Sequence, residues 1–467
     1  MTMRLVVVLW TFCLGVAAQQ YDIVISRGRA IDPETKLDAI RDVGIRNGKI
    51  VAVSEKPLTG RETIDARGLM VTAGFIDLHQ HGQTSENYGF KARDGVTTAL
   101  EMEAGVSPVD AWYREREGKA LINYGATVGH IPVRMAVMHD TGTFLPRDRA
   151  VNTPATPEQI EQILTLIRRG LDEHALGIGM GIAYVPGASR EEIFRVFQVA
   201  SVRKTPVYVH LRTAGLVEPG GIAGLQEVMA DAAASGASLH VVHIASTEVE
   251  AVSLALAMIG GAHEHKLDFT TEAYPYTASM TDLGSAIFAD GWQQRLGITY
   301  KDLQWAATGE RLTAESFARY RKQGGMVAIY HIPEDVVRTV MANPDVMIAS
   351  DGILQNGKGH PRAAGTYARV LAKYVREQHV LSMIDALRKM SLLPAVRLNM
   401  PNKGRLQMGA DADITVFDPE RVVDRASFEN PAQYSEGIPY VMVNGVWVVK
   451  KGEIQPGVYP GRGLRSP

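Results

Sequence analysis

The chain has 467 residues, of which 46% are hydrophobic and 21% are charged. Its 49 lysines and arginines nearly balance its 51 aspartates and glutamates, so the net charge is −2 and no nucleic-acid surface is indicated. The single cysteine, Cys13, excludes a disulfide framework and a zinc site made only of cysteines. A chain of this length predicts one large domain and a smaller one.

The first 18 residues are typical of a signal peptide. Arg4 precedes an apolar run that extends from Leu5 to Ala18. Small side chains, at Val16 and Ala18, stand where a signal peptidase cleaves. The run is about 14 residues long, shorter than the roughly 20 that cross a bilayer, so no stable membrane anchor is expected. Cleavage after Ala18 would remove Cys13 and leave a secreted or periplasmic protein without cysteine.

Short alternating strands are predicted at both ends of the mature chain. Two runs near the start turn back on each other at Asn47-Gly48, and two runs near the end turn at Asn444-Gly445. Asn-Gly readily adopts the positive φ angles of a tight hairpin. We therefore expect a small β-sandwich domain built from residues 19–73 and 403–467, around an inserted domain. Two unrelated hairpins are the alternative.

Apolar runs alternate with helical stretches in residues 74–402, which is typical of a parallel sheet with crossover helices. The strand-like runs are GFIDLHQ, TTALEME, IGMGIAY, PVYVHLR, LHVVHIA, LDFTTEAYPY and VMIASDG. Many of them end in a residue that can do chemistry, as at the C-terminal rim of a (β/α)8 barrel. We therefore predict an α/β protein with a TIM-like (β/α)8 barrel. Residues 280–344 exceed a usual barrel connection and are expected to form a lid.

Five residues at the ends of these runs could bind a metal ion. His79 and His81 follow one apolar run, and residues i and i+2 of an extended chain point to the same side. His210, His243 and Asp351 each close a later run. Alone, each could be a buried histidine or a turn aspartate. Their order along successive barrel strands indicates one metal site.

Three other histidines are not expected to bind metal. His240 lies an odd number of residues from His243 in the same strand and therefore points the other way. His263 and His265 precede a strand-like run, which places them in a solvated loop at the N-terminal end of a barrel strand.

The order of these residues resembles the amidohydrolase superfamily, and the detail is similar to its N-acyl-D-amino-acid deacylase (D-aminoacylase) branch. The resemblance covers nearly the whole mature chain, through IDARGLMVTAGFIDLHQH, GVTT, IAYVPG, HLR, YPYTAS, SDG, HPRAAGTYARVL, ALRKMSLLPA and GADADITVFDP. It implies one or two zinc ions bound by His79, His81, His210, His243 and Asp351. It also implies hydrolysis of a linear amide, most simply deacylation of small N-acyl-D-amino acids to a carboxylic acid and a free amino acid.

The chain departs from this branch at one metal ligand. Most members use a cysteine a few residues past GVTT, whereas this chain has Ala104 there. Glu101 and Glu103 lie on one face of the same run, and burying two carboxylates without a cation is costly. We predict that Glu103, with Glu101 as the alternative, is the carboxylate ligand and can bridge two ions. The remaining interpretation is that both glutamates are surface residues.

The resemblance also assigns residues to the reaction. Asp351 is expected to accept the proton of the attacking water and return it to the leaving amine. Tyr184 and Tyr276 are expected to hydrogen-bond the scissile carbonyl, with packing at a strand end as the alternative for each. Arg362, eleven residues after Asp351, matches the arginine that binds the substrate carboxylate through two parallel hydrogen bonds. The family often has a lysine shortly after the fourth histidine, whereas this chain continues His243-Ile244-Ala245-Ser246-Thr247, which leaves selectivity for D-amino acids open.

Other functions share these features. A related hydrolase of cyclic amides, dipeptides or bulky N-acyl aromatic amino acids would use the same metal ligands. A barrel that binds metal without catalysis is an alternative from a different class. The complete set of four histidines and Asp351 favours catalysis, and the sequence makes no prediction of oligomeric state.

Overall fold

The protein is described here by a computed structural model that covers residues 21–466, so the predicted signal peptide and Cys13 lie outside it. The strands are β1 (Tyr21–Asp32), β2 (Leu37–Arg46), β3 (Lys49–Ser54), β4 (Gly60–Asp65), β5 (Met70–Ala73), β6 (Phe75–Asp77), β7 (Val96–Val106), β8 (Asn123–Gly129), β9 (Ile178–Gly181), β10 (Val207–His210), β11 (Leu239–Val241), β12 (Phe269–Ala273), β13 (Ala278–Asp282), β14 (Leu303–Trp305), β15 (Met326–Tyr330), β16 (Val346–Ile348), β17 (Leu354–Gln355), β18 (Lys358–Gly359), β19 (Ile414–Phe417), β20 (Tyr440–Val443), β21 (Val446–Lys450) and β22 (Glu453–Ile454).

The α-helices are α1 (Ser85–Arg93), α2 (Val109–Arg116), α3 (His130–Met138), α4 (Arg149–Asn152), α5 (Pro157–Asp172), α6 (Arg190–Arg203), α7 (Gly221–Ser235), α8 (Ile244–Glu248), α9 (Val252–Glu264), α10 (Trp292–Leu296), α11 (Ala314–Gln323), α12 (Glu334–Ala342), α13 (Arg362–Arg369), α14 (Met383–Leu387) and α15 (Leu393–Arg397). The π-helical segments Val370–Glu377 and Arg388–Leu392 continue α13 and α14.

The central barrel consists of β6 to β12 and β16. These strands are hydrogen-bonded in the order β16-β12-β11-β10-β9-β8-β7-β6, and every pair is parallel. The first and last strands approach each other through a bridge between Gln80 and Gly352. The Ser350 N–H also donates to the Asp77 carboxylate at 2.9 Å. Helices cover the outside of the strands, which explains their apolar runs, and the predicted (β/α)8 barrel is confirmed.

Strands from both ends of the chain pair in one sheet. β1 to β5 and β19 to β22 form nine strands in the order β22-β21-β20-β19-β5-β1-β2-β3, with β4 beside β1. Both Asn-Gly turns have the expected positive φ angles, 52° at Asn47 and 49° at Asn444. The sheet has its own apolar cluster, which includes Ile25, Val43 and Ile414. A β-domain assembled from both termini is confirmed, and its strands form one sheet, while the sandwich arrangement and the boundaries at residues 73 and 403 stay predictions.

The segment between β12 and β16 contains a second small sheet. β13, β15 and β14 pair antiparallel in that order. A separate apolar cluster fills this layer, with the Trp292 and Phe317 rings stacked at 5.1 Å. Met280 and Ile287 from this layer line the cavity at the barrel mouth. Within the stretch 280–344, this part therefore covers the barrel mouth, while its role as a lid stays a prediction.

One apolar stretch, Ile244–Glu264, includes α8 and α9. It has 21 residues and a mean hydropathy of 1.3, so by length and composition alone it could cross a membrane. Half of its most apolar window is buried inside the protein, where α9 packs beside β12 and α12. Burial in the helical layer of the barrel therefore accounts for its composition.

Glu248, at the end of α8, is fully buried, and neither carboxylate oxygen has a hydrogen-bond partner within the described chain. Burial raises the pKa of this carboxyl from 4.5 to about 8. Between these values the folded protein holds a proton that the unfolded chain has released, so stability falls as pH rises. We expect Glu248→Gln to raise the free energy of unfolding by less than about 1 kcal/mol at pH 5 and by up to about 5 kcal/mol at pH 9.

Urea denaturation at both pH values measures this effect. Glu250→Gln, at an exposed position two residues away, is the matched control and should change stability at neither pH. An equal effect of Glu248→Gln at pH 5 and pH 9 would contradict the assigned pKa.

Candidate metal centre

Six residues predicted to bind metal converge at the C-terminal rim of the barrel. Their donor atoms form two groups that share Glu103, and within each group the atoms lie within 4.8 Å of one another. The first group is His79, His81, Glu103 and Asp351, and the second is Glu103, His210 and His243. Because parallel barrel strands end at the same rim, residues from β6, β7, β10, β11 and β16 or just after them meet there.

The Glu103 carboxylate lies between the two groups. Its Oε2 is 2.6 Å from His79 Nε2 and 3.4 Å from His81 Nε2, whereas its Oε1 is 2.8 Å from His210 Nδ1. Burial by itself would raise the pKa of Glu103, but His210 and His79 hold it well below its usual range. An ionised carboxylate with one oxygen toward each group can bridge two cations.

The crowding of donor atoms fits a bound cation. His79 Nε2 lies 3.2 Å from His81 Nε2, and His210 Nδ1 lies 3.1 Å from His243 Nε2. Asp351 adds a second carboxylate, with Oδ1 at 3.5 Å from His79 Nε2. Imidazole nitrogens and carboxylate oxygens are ligands that zinc prefers, and burying them together without a cation is costly. The residues therefore fit one or two zinc ions.

The Nδ1 atoms of three of these histidines, which face away from the donor groups, also have hydrogen-bond partners. The contacts are His79 Nδ1 to Glu272 Oε1 at 2.6 Å, His81 Nδ1 to Glu101 Oε2 at 2.8 Å and His243 Nδ1 to Ser246 Oγ at 3.2 Å. Such partners fix which nitrogen points at a metal. Glu101 therefore supports His81 from behind, and Glu103 occupies the position between the groups. Glu272 was missed in the sequence, although it lies in a strand-like run with a polar end.

The three histidines that the sequence pattern excludes as metal ligands lie outside the two groups of donor atoms. His240 directs Nδ1 to Thr270 Oγ1 at 2.8 Å and Nε2 to Glu272 Oε2 at 3.2 Å, so it supports Glu272. His263 lies in the last turn of α9, and its Nε2 faces the Phe269 carbonyl. His265 follows α9 and is exposed. The sequence predicted a solvated loop for His263, whereas the structure places this residue at the exposed end of a helix.

Asp351 forms a buried ion pair beside the first group. Its Oδ2 lies 2.9 Å from Arg362 Nη2, while its Oδ1 lies 3.4 Å from His81 Nε2. Burial by itself would raise the pKa of Asp351, but Arg362 and His79 hold it well below its usual range. The backbone of Asp351 is left-handed, with φ at 51°, and its N–H donates to the His79 carbonyl at 2.6 Å. The fold thus holds an ionised carboxylate between the metal group and an arginine.

Arg362 keeps donors free beside this pair. The side chain is 1% exposed and lines the cavity. Its Nε and Nη1 have no hydrogen-bond partner within residues 21–466, and the guanidinium lies 4.5 Å above the Tyr274 ring. Leaving such donors unpaired in a buried place costs free energy, which an anionic ligand would recover.

The two predicted carbonyl-binding tyrosines lie in different places. Tyr184 lines the cavity, with its hydroxyl 3.0 Å from Thr281 Oγ1. Burial and the charge of Glu103 raise the pKa of Tyr184 well above its usual value, so it stays a donor. Tyr276 packs with its ring 5.2 Å from His360, outside the described lining of the cavity. Its placement matches the packing alternative, not contact with a substrate.

His331 lines the same cavity and was missed in the sequence. Its Nε2 lies 2.9 Å from Ser279 Oγ. Burial and nearby His243 lower the pKa of His331 from 6.5 to about 4, so the ring is neutral at pH 7. The available signal was its position directly after the apolar run of β15, the same pattern that identified the metal residues.

A cavity of about 500 Å³ opens onto the centre. Its walls include His81, Glu103, His210, His243 and Asp351. A concave, largely apolar space with a few convergent polar groups is the usual form of a small-molecule site. One pocket therefore contains the two groups of metal-type ligands, the ionised Asp351 carboxylate and the buried Arg362 guanidinium.

Known proteins share this architecture along nearly the whole chain. The sequence profile of the Amidohydrolase family matches residues 62–449. The chain is 30% identical to an N-acyl-D-glutamate deacylase of Alcaligenes xylosoxydans xylosoxydans, over 96% of this chain and 97% of the relative. It is 28% identical to a D-aminoacylase of the same organism, over 92% and 95% of the two chains.

A solved structure agrees with these sequence matches. N-acyl-D-glutamate deacylase from Bordetella bronchiseptica, in complex with zinc and a phosphonate mimic of the tetrahedral intermediate, superposes with a TM-score of 0.83. The identity is 28%, and the match covers 96% of this chain and 100% of the other. Because the family profile spans most of the chain and the barrel carries the full set of metal ligands, the protein belongs to the amidohydrolase family.

Proposed function

We propose that the protein is a zinc-dependent hydrolase that deacylates N-acyl-D-amino acids to a carboxylic acid and a free amino acid. The observation that carries this proposal is the buried pair of Asp351 and Arg362, because it places a base and free carboxylate-binding donors beside one metal group. The activities named for the two bacterial relatives, at about 30% identity over nearly the full chain, support the same class of substrate.

Zinc held by the two groups around Glu103 would supply a Lewis acid for the amide carbonyl and lower the pKa of the attacking water. Asp351 then serves as the base, since its Oδ1 faces the metal group and its low pKa keeps it ionised. It accepts one proton from the water and delivers it to the amide nitrogen as the C–N bond breaks. Tyr184, kept protonated, donates a hydrogen bond to the oxygen of the carbonyl.

Arg362 holds the α-carboxylate of the amino acid in this account. Its Nη2 pairs with Asp351, while Nε and Nη1 have no hydrogen-bond partner within residues 21–466, so either of them can donate to the substrate carboxylate. A charge-assisted hydrogen bond from a guanidinium N–H is stronger than a neutral one and holds a carboxylate beside it. One arginine therefore positions both the base and the amine that the base must protonate.

A panel of amides tests the proposed function. We expect zinc-dependent hydrolysis of N-acetyl-D-amino acids, faster than that of the matched L-forms, and loss of turnover after chelation with recovery when zinc is restored. Hydrolysis of a cyclic imide or a dipeptide without hydrolysis of N-acyl amino acids would support the alternative amidohydrolase. Zinc binding without turnover of any amide would support a non-catalytic barrel.

We also propose that the protein is exported, on the basis of the signal-peptide pattern in the first 18 residues. The absence of cysteine from the rest of the chain suits an oxidising compartment. N-terminal sequencing of the mature protein from cell fractions tests this, with a start at residue 19 expected. A mature protein that keeps Met1 and stays in the cytoplasm would contradict it.

A further inference from the structure

The cavity has more apolar wall than an N-acetyl amino acid can cover. Its volume is about 500 Å³, within the range of pockets that enclose drug-sized ligands. Its apolar lining includes Ile131, Phe144, Leu145, Val217, Ile287 and Leu296. These residues come from α3, the loop after it, the loop after β10 and the layer over the barrel mouth. An apolar wall of this extent is stabilised by an apolar ligand.

The site residues indicate which part of the substrate faces that wall. The scissile C–N bond separates the amine and α-carboxylate of the amino acid on one side from the acyl group on the other. Asp351 and Arg362, only 2.9 Å apart, serve the amine and the carboxylate. The amino-acid half is therefore held next to this pair, and the acyl half is directed to the rest of the cavity.

Three charged residues of the cavity wall already have hydrogen-bond partners within the part of the chain that the structure describes. Arg212 bonds to the Glu227 carboxylate at 2.7 to 3.0 Å. Arg295 donates to backbone carbonyls, including that of Ala289 at 3.0 Å. The Asp282 carboxylate pairs with Arg147 Nη2 at 2.7 Å. Arg212 and Asp282 are thus neutralised by charged partners, and the donors of Arg295 are directed to backbone carbonyls. Together with the apolar lining, this arrangement favours a neutral distal group.

The mouth of the cavity carries exposed apolar side chains. Phe144 is 42% exposed and Val217 is 53% exposed, and both line the cavity. Leu216, next to Val217, is 56% exposed. The Phe144 ring lies 5.4 Å from the His81 ring, so the apolar rim reaches from solvent to the metal residues. Single exposed apolar residues are ordinary, but two that line one opening, with a third next to one of them in the chain, favour a binding surface.

We propose that the acyl group of the natural substrate is a neutral, medium- or long-chain fatty acyl group that lies along this apolar wall and crosses the rim. The inference rests on the proposed deacylase function and names its substrate class as N-fatty-acyl amino acids. Each methylene that leaves water adds to the binding free energy in the transition state.

Matched substrates test this inference. The zinc-loaded enzyme is assayed with N-acetyl-, N-octanoyl- and N-decanoyl-D-alanine, below the concentrations at which these amphiphiles form micelles. We expect kcat/KM for the octanoyl substrate to exceed that for the acetyl substrate by at least about tenfold. Equal or lower kcat/KM for the longer chains would overturn the inference. A tenfold gain for N-acetyl-D-phenylalanine without a gain for N-octanoyl-D-alanine would also overturn it, because the wall would then serve the side chain.

A pair of variants locates the contact. Val217→Asp should lower the ratio of octanoyl to acetyl kcat/KM by at least about fivefold, because a carboxylate then stands at the rim. Val202→Asp makes the same change at an exposed position, 81% accessible and outside the described cavity lining, and should leave the ratio unchanged. An unchanged ratio in Val217→Asp would overturn the assigned path of the chain. Hydrolysis of acetyl substrates without preference for octanoyl refutes only this inference, whereas hydrolysis of neither refutes the proposed function.

Discussion

Changing Asp351 to asparagine should lower kcat by at least about a hundredfold while the protein keeps its metal. The amide has nearly the same shape and retains an oxygen that can face the metal group, but it cannot take up the proton of the attacking water. Asp351 is well suited to this role because Arg362, at 2.9 Å, and His79 keep it ionised despite burial. The same substitution also weakens the ion pair that fixes Arg362, so KM should rise as well.

Steady-state kinetics with an N-acyl-D-amino acid, together with metal analysis of the same sample, measure this effect. Asp345→Asn is the matched control, since it makes the same change at an exposed position just before β16. Turnover near the wild-type value in Asp351→Asn would remove Asp351 from the role of base. Loss of most of the metal would instead show that Asp351 acts mainly as a ligand.

Changing Glu103 to alanine should abolish most metal binding and lower turnover by roughly a thousandfold or more. Its two carboxylate oxygens face different groups, at 2.6 Å from His79 Nε2 and 2.8 Å from His210 Nδ1. Removing the carboxylate takes away the one negative charge that both groups share. It also leaves two pairs of histidine nitrogens about 3 Å apart, with Asp351 as the remaining carboxylate of the two groups.

Glu101→Ala is the control, because Glu101 lies on the same strand and holds His81 from behind. Removing such a partner costs about 10- to 100-fold in metal affinity and leaves all ligands in place. Zinc content after dialysis against graded zinc concentrations compares the two variants. If Glu103→Ala keeps its metal and Glu101→Ala loses it, Glu101 is the carboxylate ligand and the assignment of Glu103 is wrong.

The sequence could predict the barrel and the rim because both depend on local pattern. Each parallel strand is buried on two faces and reads as an apolar run, and the residue after the run lies at the rim. That rule found His79, His81, His210, His243 and Asp351, which the structure brings together. It missed β8, NYGATVG, because glycines and polar residues interrupt the apolar pattern of this buried strand.

The residues of β8 show what local pattern leaves out. A Cβ at Gly129 would lie 2.1 Å from the Ala104 carbonyl, so only glycine fits there. Asn123 at the other end of the strand donates to the Asp413 carboxylate at 3.0 Å and accepts from Asn444 Nδ2 at 2.8 Å. These contacts join residues about 290 and 321 positions apart, which no run of neighbouring residues reveals.

The choice between Glu101 and Glu103 also depended on three-dimensional structure. Residues i and i+2 of a strand share a face, so alternation alone could not separate them. They are nonetheless about 6.6 Å apart along the strand, at roughly 3.3 Å per residue, and only one can lie between the two metal groups. Because the Glu101 carboxylate contacts His81 Nδ1, Glu101 supports that histidine, and Glu103 is left to lie between the two groups. Glu272 escaped prediction for the same reason, because its partner His79 is 193 residues away.

Anomalous diffraction at the zinc edge from crystals of the zinc-loaded protein tests the central claim most directly. We expect zinc bound by His79, His81 and Asp351, with a Glu103 oxygen as a further ligand at about 2.0 to 2.2 Å. If a second ion is bound, we expect it at His210 and His243, with Glu103 shared between the two ions. Zinc coordinated by Glu101, or zinc with no bond to Glu103, would contradict it.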